Sequence, residues 1–357
     1  MTVDAKRIKK ILVLKYRSIG DIILAGPALE ALRLTYPKAR IDLVVDDVFE
    51  DICHAHPNVD YLILNKRHRG KMGKLDYLML DLRFLSKIRK QKYDLVVDLH
   101  CGPRSALVAF LSGARYRMGD RLRLRNKIAY NISAPIPAKG AHTVDVLLNS
   151  LFPLNPIFPD APSLSLNYHD AEGLFVRDFL GKHGVTEKDT VVMVHPGARV
   201  DIKRLPAEKM GSIVRWLIDE LGVKVIYAGN NNDIAPIAEI VSYSGRRGLI
   251  ATNLPLGRLA ALIGACDLFL GNDSGPMHMA AALGVPVVAF FGPSDPDIWG
   301  PVSDTARVVR NLPLMECQPC DQKNCPHKGA HCMTKIKLND IKRAVTSVLS
   351  PRTARRV

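Results

Sequence analysis

Short apolar runs alternate with longer amphipathic stretches along the first part of the chain. Runs of four to six residues rich in Val, Ile and Leu predict buried strands, and stretches with apolar residues three or four positions apart predict helices. Strands are expected at 11–16, 41–45, 61–64 and 95–99, and helices at 22–36, 75–92 and 104–111. This alternation predicts a parallel sheet joined by crossover helices.

The pattern stops after a predicted helix at 142–151 and then starts again. A stretch with four prolines, Pro153, Pro156, Pro159 and Pro162, follows that helix and is typical of a linker. Further strands are expected at 191–194, 223–228, 268–270 and 285–291, and further helices at 207–221, 234–243, 256–266 and 277–283. The repetition predicts an α/β protein with two Rossmann-like domains that face each other across a cleft. Ligands of such sheets bind beyond the carboxyl ends of the strands.

The composition narrows the class of protein. The chain has 357 residues, more than one core usually supports, with 47% hydrophobic and 24% charged residues, which excludes a disordered or collagen-like chain. The net charge of +15 favours an anionic partner, but an aromatic content of 6% weakens a role in binding single-stranded nucleic acid. The longest apolar run, 280–292, is too short for a membrane span, and the apolar stretch 11–14 is too short for a signal peptide. We therefore expect a cytosolic protein.

The loop after the first predicted strand carries a carboxylate. It reads Ser18-Ile19-Gly20-Asp21 and lacks the G-x-G-x-x-G pattern of a dinucleotide site, so NAD binding is not supported. Asp21 falls in the first turn of the following helix. There it either caps the helix or acts as a general base for an acceptor hydroxyl.

Three loops of the second half carry residues that suit a nucleotide. Gly197 follows one strand and allows a close approach of the backbone, while Lys203 offers a point charge to a phosphate. Asp233 follows the next strand, where it either binds ribose hydroxyls or caps a helix. The strongest loop begins a helix of small residues and suits a pyrophosphate through its free N–H groups. Its candidate residues are Asp273, Ser274, Gly275 and His278.

Together these motifs resemble the bacterial ADP-heptose:lipopolysaccharide heptosyltransferases of glycosyltransferase family 9. The resemblance includes the motifs at 18–21, 195–198, 273–278 and 291–296, with Lys203 and Pro206, and covers nearly the whole chain in order. It implies a GT-B fold, an acceptor held by the first domain and a nucleotide-sugar donor, ADP-heptose, held by the second. It also implies a reaction that inverts the anomeric centre and requires no catalytic metal.

The resemblance assigns roles to individual residues. By position, Asp21 matches the catalytic base, Lys203 the lysine beside the donor phosphate and sugar, and Asp273 the acid beside the heptose. Ser274, Gly275 and His278 match the loop at the diphosphate, and Gly197 also belongs to the donor side. Asp233 stands where family members often have a glutamate that binds ribose, and Leu205 stands where they usually have Trp. On the acceptor side the matching residues are Gly20, Arg104 and His142.

The expected division of the chain follows from the same reasoning. Residues 1–165 are predicted to form the acceptor-binding domain, 166–188 a linker with a connecting helix, 189–335 the donor-binding domain, and 336–357 a helix and basic tail. Seventeen Lys or Arg stand against five Asp between Asn65 and Lys127, and seven against one from Lys335 onward. This charge predicts an enzyme at the inner face of the cytoplasmic membrane that binds an anionic lipid-linked acceptor, with no nucleic-acid partner.

Four cysteines lie close together near the end of the second domain. Cys317, Cys320, Cys325 and Cys332 form a C-x2-C-x4-C-x6-C pattern, with His327 and His331 between them. In a reducing compartment this pattern predicts a structural zinc or iron site, reduced thiols or a local disulfide.

Two other functions remain open at the level of sequence. The protein could be a family 9 enzyme with another acceptor, such as a protein or a capsule sugar, or with another nucleotide-sugar donor. It could also be a non-enzymatic basic protein that binds RNA or membrane, but that hypothesis gives no role to the loop at 273–278.

Overall fold

The computed structural model describes residues 3–4, 7–54, 56–66, 73–320, 324–327 and 331–349. The chain divides into two compact units, Met1–Ser163 and Leu164–Val357. Each unit is built around one parallel sheet of six strands.

The first unit follows the predicted alternation of strands and helices. Its strands are β1 (Lys10–Leu14), β2 (Arg40–Asp46), β3 (Tyr61–Asn65), β4 (Leu95–Asp98), β5 (Tyr116–Gly119) and β6 (Ile132–Ser133). Its helices are α1 (Ile19–Ile23), α2 (Gly26–Thr35), α3 (Glu50–Cys53), α4 (Lys74–Lys90), α5 (Pro103–Leu111), α6 (Leu124–Ala129) and α7 (Thr143–Ser150). The strand order is β3-β2-β1-β4-β5-β6, so the direction of winding reverses between β1 and β4. The carboxyl ends of these two strands border the crevice in which sheets of this type bind ligands.

Helices α4, α5 and α6 cover one face of the first sheet. Ile88 of α4, Ala106 and Ala109 of α5 and Ala129 of α6 belong to one buried cluster with Leu14 of β1. The small residues of α5 and α6 allow these helices to approach the sheet closely. Their opposite sides therefore form part of the outer surface of the unit.

The second unit repeats this architecture. Its strands are β7 (Val191–His195), β8 (Lys224–Gly229), β9 (Leu249–Thr252), β10 (Leu268–Asn272), β11 (Val287–Phe290) and β12 (Ala306–Val309). Its helices are α8 (Asp170–Lys182), α9 (Ala207–Asp219), α10 (Ile234–Ser244), α11 (Leu256–Gly264), α12 (Gly275–Ala282), α13 (Pro296–Trp299) and α14 (Leu338–Val348). The order β12-β11-β10-β7-β8-β9 is the order of the first sheet when the strands are counted from β7. The reversal here lies between β7 and β10.

Two helices outside the repeating pattern pack within the second unit. Helix α8, which falls in the predicted connecting segment, packs against α11. Helix α14 packs against α9 and the strands β11 and β12, and its Ile341 and Val345 are fully buried. Of the predicted basic tail, 350–357 lies outside the described residues.

The predicted fold class is confirmed, and the differences concern local elements. The expected helix at 22–36 is two helices, because a new helix begins with Pro27 near its start, where the missing N–H of proline does no harm. Strands β5, β6, β9 and β12 have no counterpart among the predicted strands. They lie at or next to the edges of the sheets, and each includes exposed or half-buried positions, so none is a continuous buried apolar run. Within the described ranges, no helix combines the length and apolar character that crossing a membrane requires.

Candidate active site

The two loops at the reversal point of the second sheet are joined by Asn272. This side chain is fully buried at the end of β10. Its Nδ2 donates to the carbonyl of Pro196 at 2.8 Å, and its Oδ1 accepts the N–H of Leu205 at 2.9 Å. Asn272 therefore fixes the loop after β7 and the start of α9 against β10. It was not among the predicted site residues, although a polar residue at the end of an apolar strand is a visible signal.

Lys203 and Asp273 form an ion pair in the same place. Lys203 Nζ lies 2.6 Å from Asp273 Oδ2, and the hydroxyl of Ser294 donates to the same oxygen. The Asp273 side chain is 9% exposed and that of Lys203 is 28% exposed. Loops that follow β7, β10 and β11 thus meet at one carboxylate. Lys203 and Asp273 were among the predicted site residues, whereas Ser294 was not.

Helix α12 begins directly after Asp273. Ser274 is its N-cap residue, with an extended backbone, and Pro276 occupies its first turn. The Ser274 hydroxyl is buried, and no hydrogen-bond partner for it exists among the residues that the structure describes. The first N–H groups of a helix have no acceptor within the helix and attract anions. Gly275 is the first residue of this helix, so the N–H groups here have the geometry that can bind an anion, and His278 lies buried one turn further along.

Asp233 is buried beneath the loop that contains Gly197. Its side chain is 1% exposed, its Oδ2 accepts the N–H of Asn230 at 2.9 Å, and Arg204 lies 3.6 Å from its Oδ1. A Cβ on Gly197 would lie 2.8 Å from the Asp233 carboxylate and from the His195 ring. Gly197 therefore allows close packing against Asp233. Asp233 stands at the N-cap position of α10, but its side chain makes no cap hydrogen bond to that helix, so the expected capping role is not found. Its carboxylate instead completes a capping box with Asn230 on the short turn at 231–233, and ribose binding stays a prediction.

Burial keeps His195 neutral in this arrangement. It lowers the pKa of the buried imidazole, although the negative charge of Asp233 acts in the opposite direction. Leu205, the position at which family members usually have Trp, is buried in the core of the second unit. Neither residue therefore adds a charge to the crevice.

Asp21 lies at the reversal point of the first sheet, in the first turn of α1. The N-cap of this helix is Ser18, which has a positive φ of 67°, so Asp21 is not the capping residue. Gly20 is buried beside it. The Asp21 side chain is 32% exposed, and its Oδ1 lies 3.8 Å from Lys15 Nζ. A partly exposed carboxylate at this edge can accept a proton from a bound ligand.

Lys15 follows β1 and is buried beside Asp21. It is 6% exposed, and its Nζ donates to the carbonyl of Leu99 at 3.1 Å. Burial lowers the pKa of Lys15, whereas the negative charges of Asp21 and Asp98 act against this shift. Lys15 was not among the predicted site residues, although a lysine directly after an apolar strand was a visible signal.

The other two predicted acceptor-side residues have separate partners. Arg104 Nη2 donates to Asp81 Oδ1 at 2.6 Å and to Asn65 Oδ1 at 3.0 Å. These residues line a pocket at the carboxyl end of β3 that also contains Lys66, Arg83, Phe84 and Lys87. His142 is the N-cap of α7, and its Nδ1 accepts the N–H of Val144 at 3.2 Å.

The four clustered cysteines share one small pocket. Cys317, Cys320, Cys325 and Cys332 line it together with His331, and all four are free thiols. Burial and the neighbouring thiols raise the pKa of Cys332. Within the described ranges, no group of three or more His, Cys, Asp or Glu side chains is arranged to hold a metal ion. The predicted structural zinc or iron is therefore not supported.

The two crevices define a class of enzyme. The second unit combines a cation, a carboxylate, a hydroxyl and a helix N-terminus, a set that can hold a phosphorylated ligand. The first unit presents a carboxylate that can take a proton. Two doubly wound sheets with such a division of groups are typical of GT-B glycosyltransferases.

Comparison with known proteins specifies the family. The family model for glycosyltransferase family 9 (heptosyltransferase) matches residues 82–331, and the chain belongs to this family. The chain is similar to lipopolysaccharide heptosyltransferase 3 of Escherichia coli, with 27% identity over 292 residues, 80% of this chain and 84% of that protein.

Solved structures agree with this assignment. A family 9 glycosyltransferase from Veillonella parvula DSM 2008 matches with a TM-score of 0.83 and 25% identity, over 96% of this chain and 97% of that one. The ADP-heptose lipopolysaccharide heptosyltransferase II of E. coli shares the fold, with a TM-score of 0.75, 22% identity and coverage of 95% and 98%.

Proposed function

We propose that this family 9 glycosyltransferase transfers heptose from ADP-heptose to the inner core of lipopolysaccharide, with inversion at the anomeric carbon. The names of two similar proteins, lipopolysaccharide heptosyltransferase 3 and the ADP-heptose lipopolysaccharide heptosyltransferase II of E. coli, support this acceptor and this donor. The observation that carries the proposal is the convergence of Lys203, Asp273 and Ser294 beside the start of α12. A cation and free N–H groups at one edge suit the diphosphate of a nucleotide sugar.

On the donor side, Lys203 and the N–H groups at Ser274 and Gly275 bind the diphosphate. Asp273 orients Lys203 through the ion pair and accepts a hydrogen bond from the heptose. Negative charge grows on the diphosphate as it leaves, and these groups stabilise it more in the transition state than in the ground state. The reaction therefore requires no metal cofactor.

On the acceptor side, Asp21 acts as the general base. It takes the proton of an acceptor hydroxyl while that oxygen forms a bond to the anomeric carbon. The bond from this carbon to the diphosphate oxygen breaks on the opposite face, and ADP leaves with the electron pair. Lys15 keeps a positive charge beside the Asp21 carboxylate before the proton is transferred.

The acceptor is a lipid-linked, anionic sugar at the cytoplasmic face of the membrane. The excess of Lys and Arg between Asn65 and Lys127 supports this choice, since phosphate and carboxylate groups decorate such an acceptor. Arg104 and its pocket are one place on the first unit that suits an anion.

Incubation with defined substrates tests the proposal. We expect ADP-heptose together with a lipopolysaccharide core acceptor to give ADP and a heptosylated acceptor, with an inverted anomeric configuration in the NMR spectrum. Other ADP-sugars and UDP-sugars serve as donor controls, and protein or capsule sugars as acceptor controls. If ADP-heptose releases no ADP with any acceptor, the proposal is wrong. Transfer of heptose to a different acceptor would support the proposed donor and contradict the proposed acceptor.

A further inference from the structure

Helix α4 exposes an apolar stripe that the protein core does not use. Phe84, Leu85 and Ile88 of this helix pack inward against the first sheet. Its first two turns also carry large apolar residues at positions i, i+3, i+4 and i+7, a spacing that places them on one side of a helix. These residues are Leu75, Leu78, Met79 and Leu82, and each is 45% to 72% exposed.

The two neighbouring helices extend this apolar surface. Helix α5 contacts both α4 and α6, and all three cover the same face of the sheet. Leu107 and Phe110 of α5 are about half exposed, and Leu124 and Ile128 of α6 are 77% and 63% exposed. We call these residues, together with Leu78 and Leu82, the outer apolar surface. Exposed apolar residues on successive helices mark an interaction surface.

The surroundings of this surface are strongly basic. Between Arg104 and Lys139 the chain has eight Lys or Arg and a single acid, Asp120. Arg123, Arg125 and Lys127 are exposed and alternate with Leu122, Leu124 and Ile128. Basic residues between exposed aliphatic residues are the pattern of segments that lie in the interface of an anionic bilayer.

We propose that the outer apolar surface and its basic residues dock the enzyme on an anionic phospholipid membrane. The aliphatic side chains of α4, α5 and α6 enter the headgroup region, and Arg123, Arg125 and Lys127 bind lipid phosphates. Self-association through this face is disfavoured because it would bring equal positive charges together. RNA is disfavoured because Phe110 is the one aromatic residue of this surface. The inference deepens the proposed function, whose acceptor is lipid-linked.

Vesicle binding of the full-length protein tests this surface. Sedimentation with phosphatidylcholine vesicles, with and without about one third phosphatidylglycerol, measures the partition coefficient. We expect binding to the anionic vesicles that weakens with salt. The double variant Leu78→Gln with Leu82→Gln should lower the partition coefficient about tenfold. The double variant Arg123→Gln with Arg125→Gln should lower it about fivefold for each charge removed.

Matched variants in the second unit control for general effects. Leu174→Gln with Ile250→Gln removes equally exposed apolar residues, at 59% and 58%, and Lys188→Gln with Lys224→Gln removes exposed cations. The partition coefficients of these control variants should stay within about twofold of that of the unchanged protein. Equal losses in the controls, absent vesicle binding, or a dimer in light scattering that the leucine pair abolishes would each overturn the proposal. So would RNA binding that the leucine pair abolishes.

The outcome is separable from that of the proposed function. The variant with both leucines replaced should keep full transfer to a deacylated, water-soluble core acceptor. Vesicle binding without any heptose transfer would leave the docking surface in place and remove the proposed function. Heptose transfer without vesicle binding would support the proposed function and remove the docking surface.

Discussion

Lys203 and Asp273 are seventy residues apart in the chain, and their side chains meet at 2.6 Å between Nζ and Oδ2. The pair joins the loop after β7 to the loop after β10, and Ser294 adds a hydrogen bond from the loop after β11. The pair is therefore held in place before any ligand arrives. We therefore expect the two residues to act as one functional unit.

A double-mutant cycle on this pair tests that view. We expect Lys203→Ala and Asp273→Asn each to lower kcat/KM for the donor by about 10²-fold. The double variant should lose much less than the product of both, because residues that act as a unit are not additive. Ser294→Ala, which keeps the ion pair, is the control, and its kcat/KM for the donor should fall less than that of either single variant. Fully multiplicative losses would show that the two side chains act independently.

Replacement of Asp21 tests its proposed role as the general base. Asp21→Asn keeps the shape of the side chain and removes its ability to take a proton, so kcat should fall by about 10² to 10⁴-fold. Circular dichroism should stay unchanged, and the melting temperature should fall slightly, because the buried Lys15 loses its neighbouring negative charge. Asp170→Asn, in the first turn of α8, is the matched control and should keep full activity. An Asp21→Asn enzyme that retains most of its turnover would refute the assignment.

Lys15 should contribute more to activity than to stability. Its pKa lies below the ordinary 10.5 because burial disfavours the charge, so the charged form costs stability at neutral pH. That cost is complete below the lowered pKa and disappears as the pH rises toward 10.5. At pH 7 we expect Lys15→Met to be at least as stable as the unchanged protein, with an advantage that shrinks toward pH 10.5. Its kcat should fall about tenfold, because Asp21 loses its cation.

Urea unfolding at several pH values and steady-state kinetics measure both effects. Lys9→Met, at an exposed neighbouring position, is the control and should change neither. A Lys15→Met protein that loses stability at pH 7 would show that the bond to Leu99 is the main role of this lysine.

Gly197 should be required for packing. In Gly197→Ala, the new Cβ would lie 2.8 Å from the Asp233 carboxylate, and we expect a loss of about 2 kcal/mol in the free energy of unfolding. Gly181→Ala, where a Cβ meets nothing within 4 Å, should instead stabilise by about 0.5 kcal/mol. Urea unfolding measures both. Equal effects of the two substitutions would contradict the packing role.

The fold was predictable because its signal is local. Strands such as β1 and β7 are continuous apolar runs that only a sheet covered on both faces accommodates, and their alternation with helices indicates the parallel connection. Strands β6 and β12 were missed because they are edge strands with little apolar pattern, since β6 has only two residues and β12 exposes two of its four.

Lys203 and Asp273 were singled out because each lies in a loop that follows a strand of the second sheet, and the structure brings the two side chains together. Lys15 and Asn272 also adjoin strands, but they and Ser294 were missed because the contacts that distinguish them are made with residues far along the chain. Lys15 bonds to Leu99, and Asn272 bonds to Pro196 and Leu205. Asp233 shows the converse, because its sequence position fits both ribose binding and a cap of α10. Its carboxylate in fact accepts the N–H of Asn230 and makes no cap hydrogen bond to α10, which no local sequence pattern indicates.

The shared strand order of the two sheets has a consequence for the evolution of specificity. Each sheet reverses its winding once, so each unit has its own reversal point, which is bordered by loops of that unit. Loops around β1 and β4 can therefore be altered without a change in the loops around β7 and β10. Under the proposed assignment, selection can diversify the acceptor while the donor stays the same. Exchange of the segment Met1–Ser163 between relatives should transfer acceptor preference as a module.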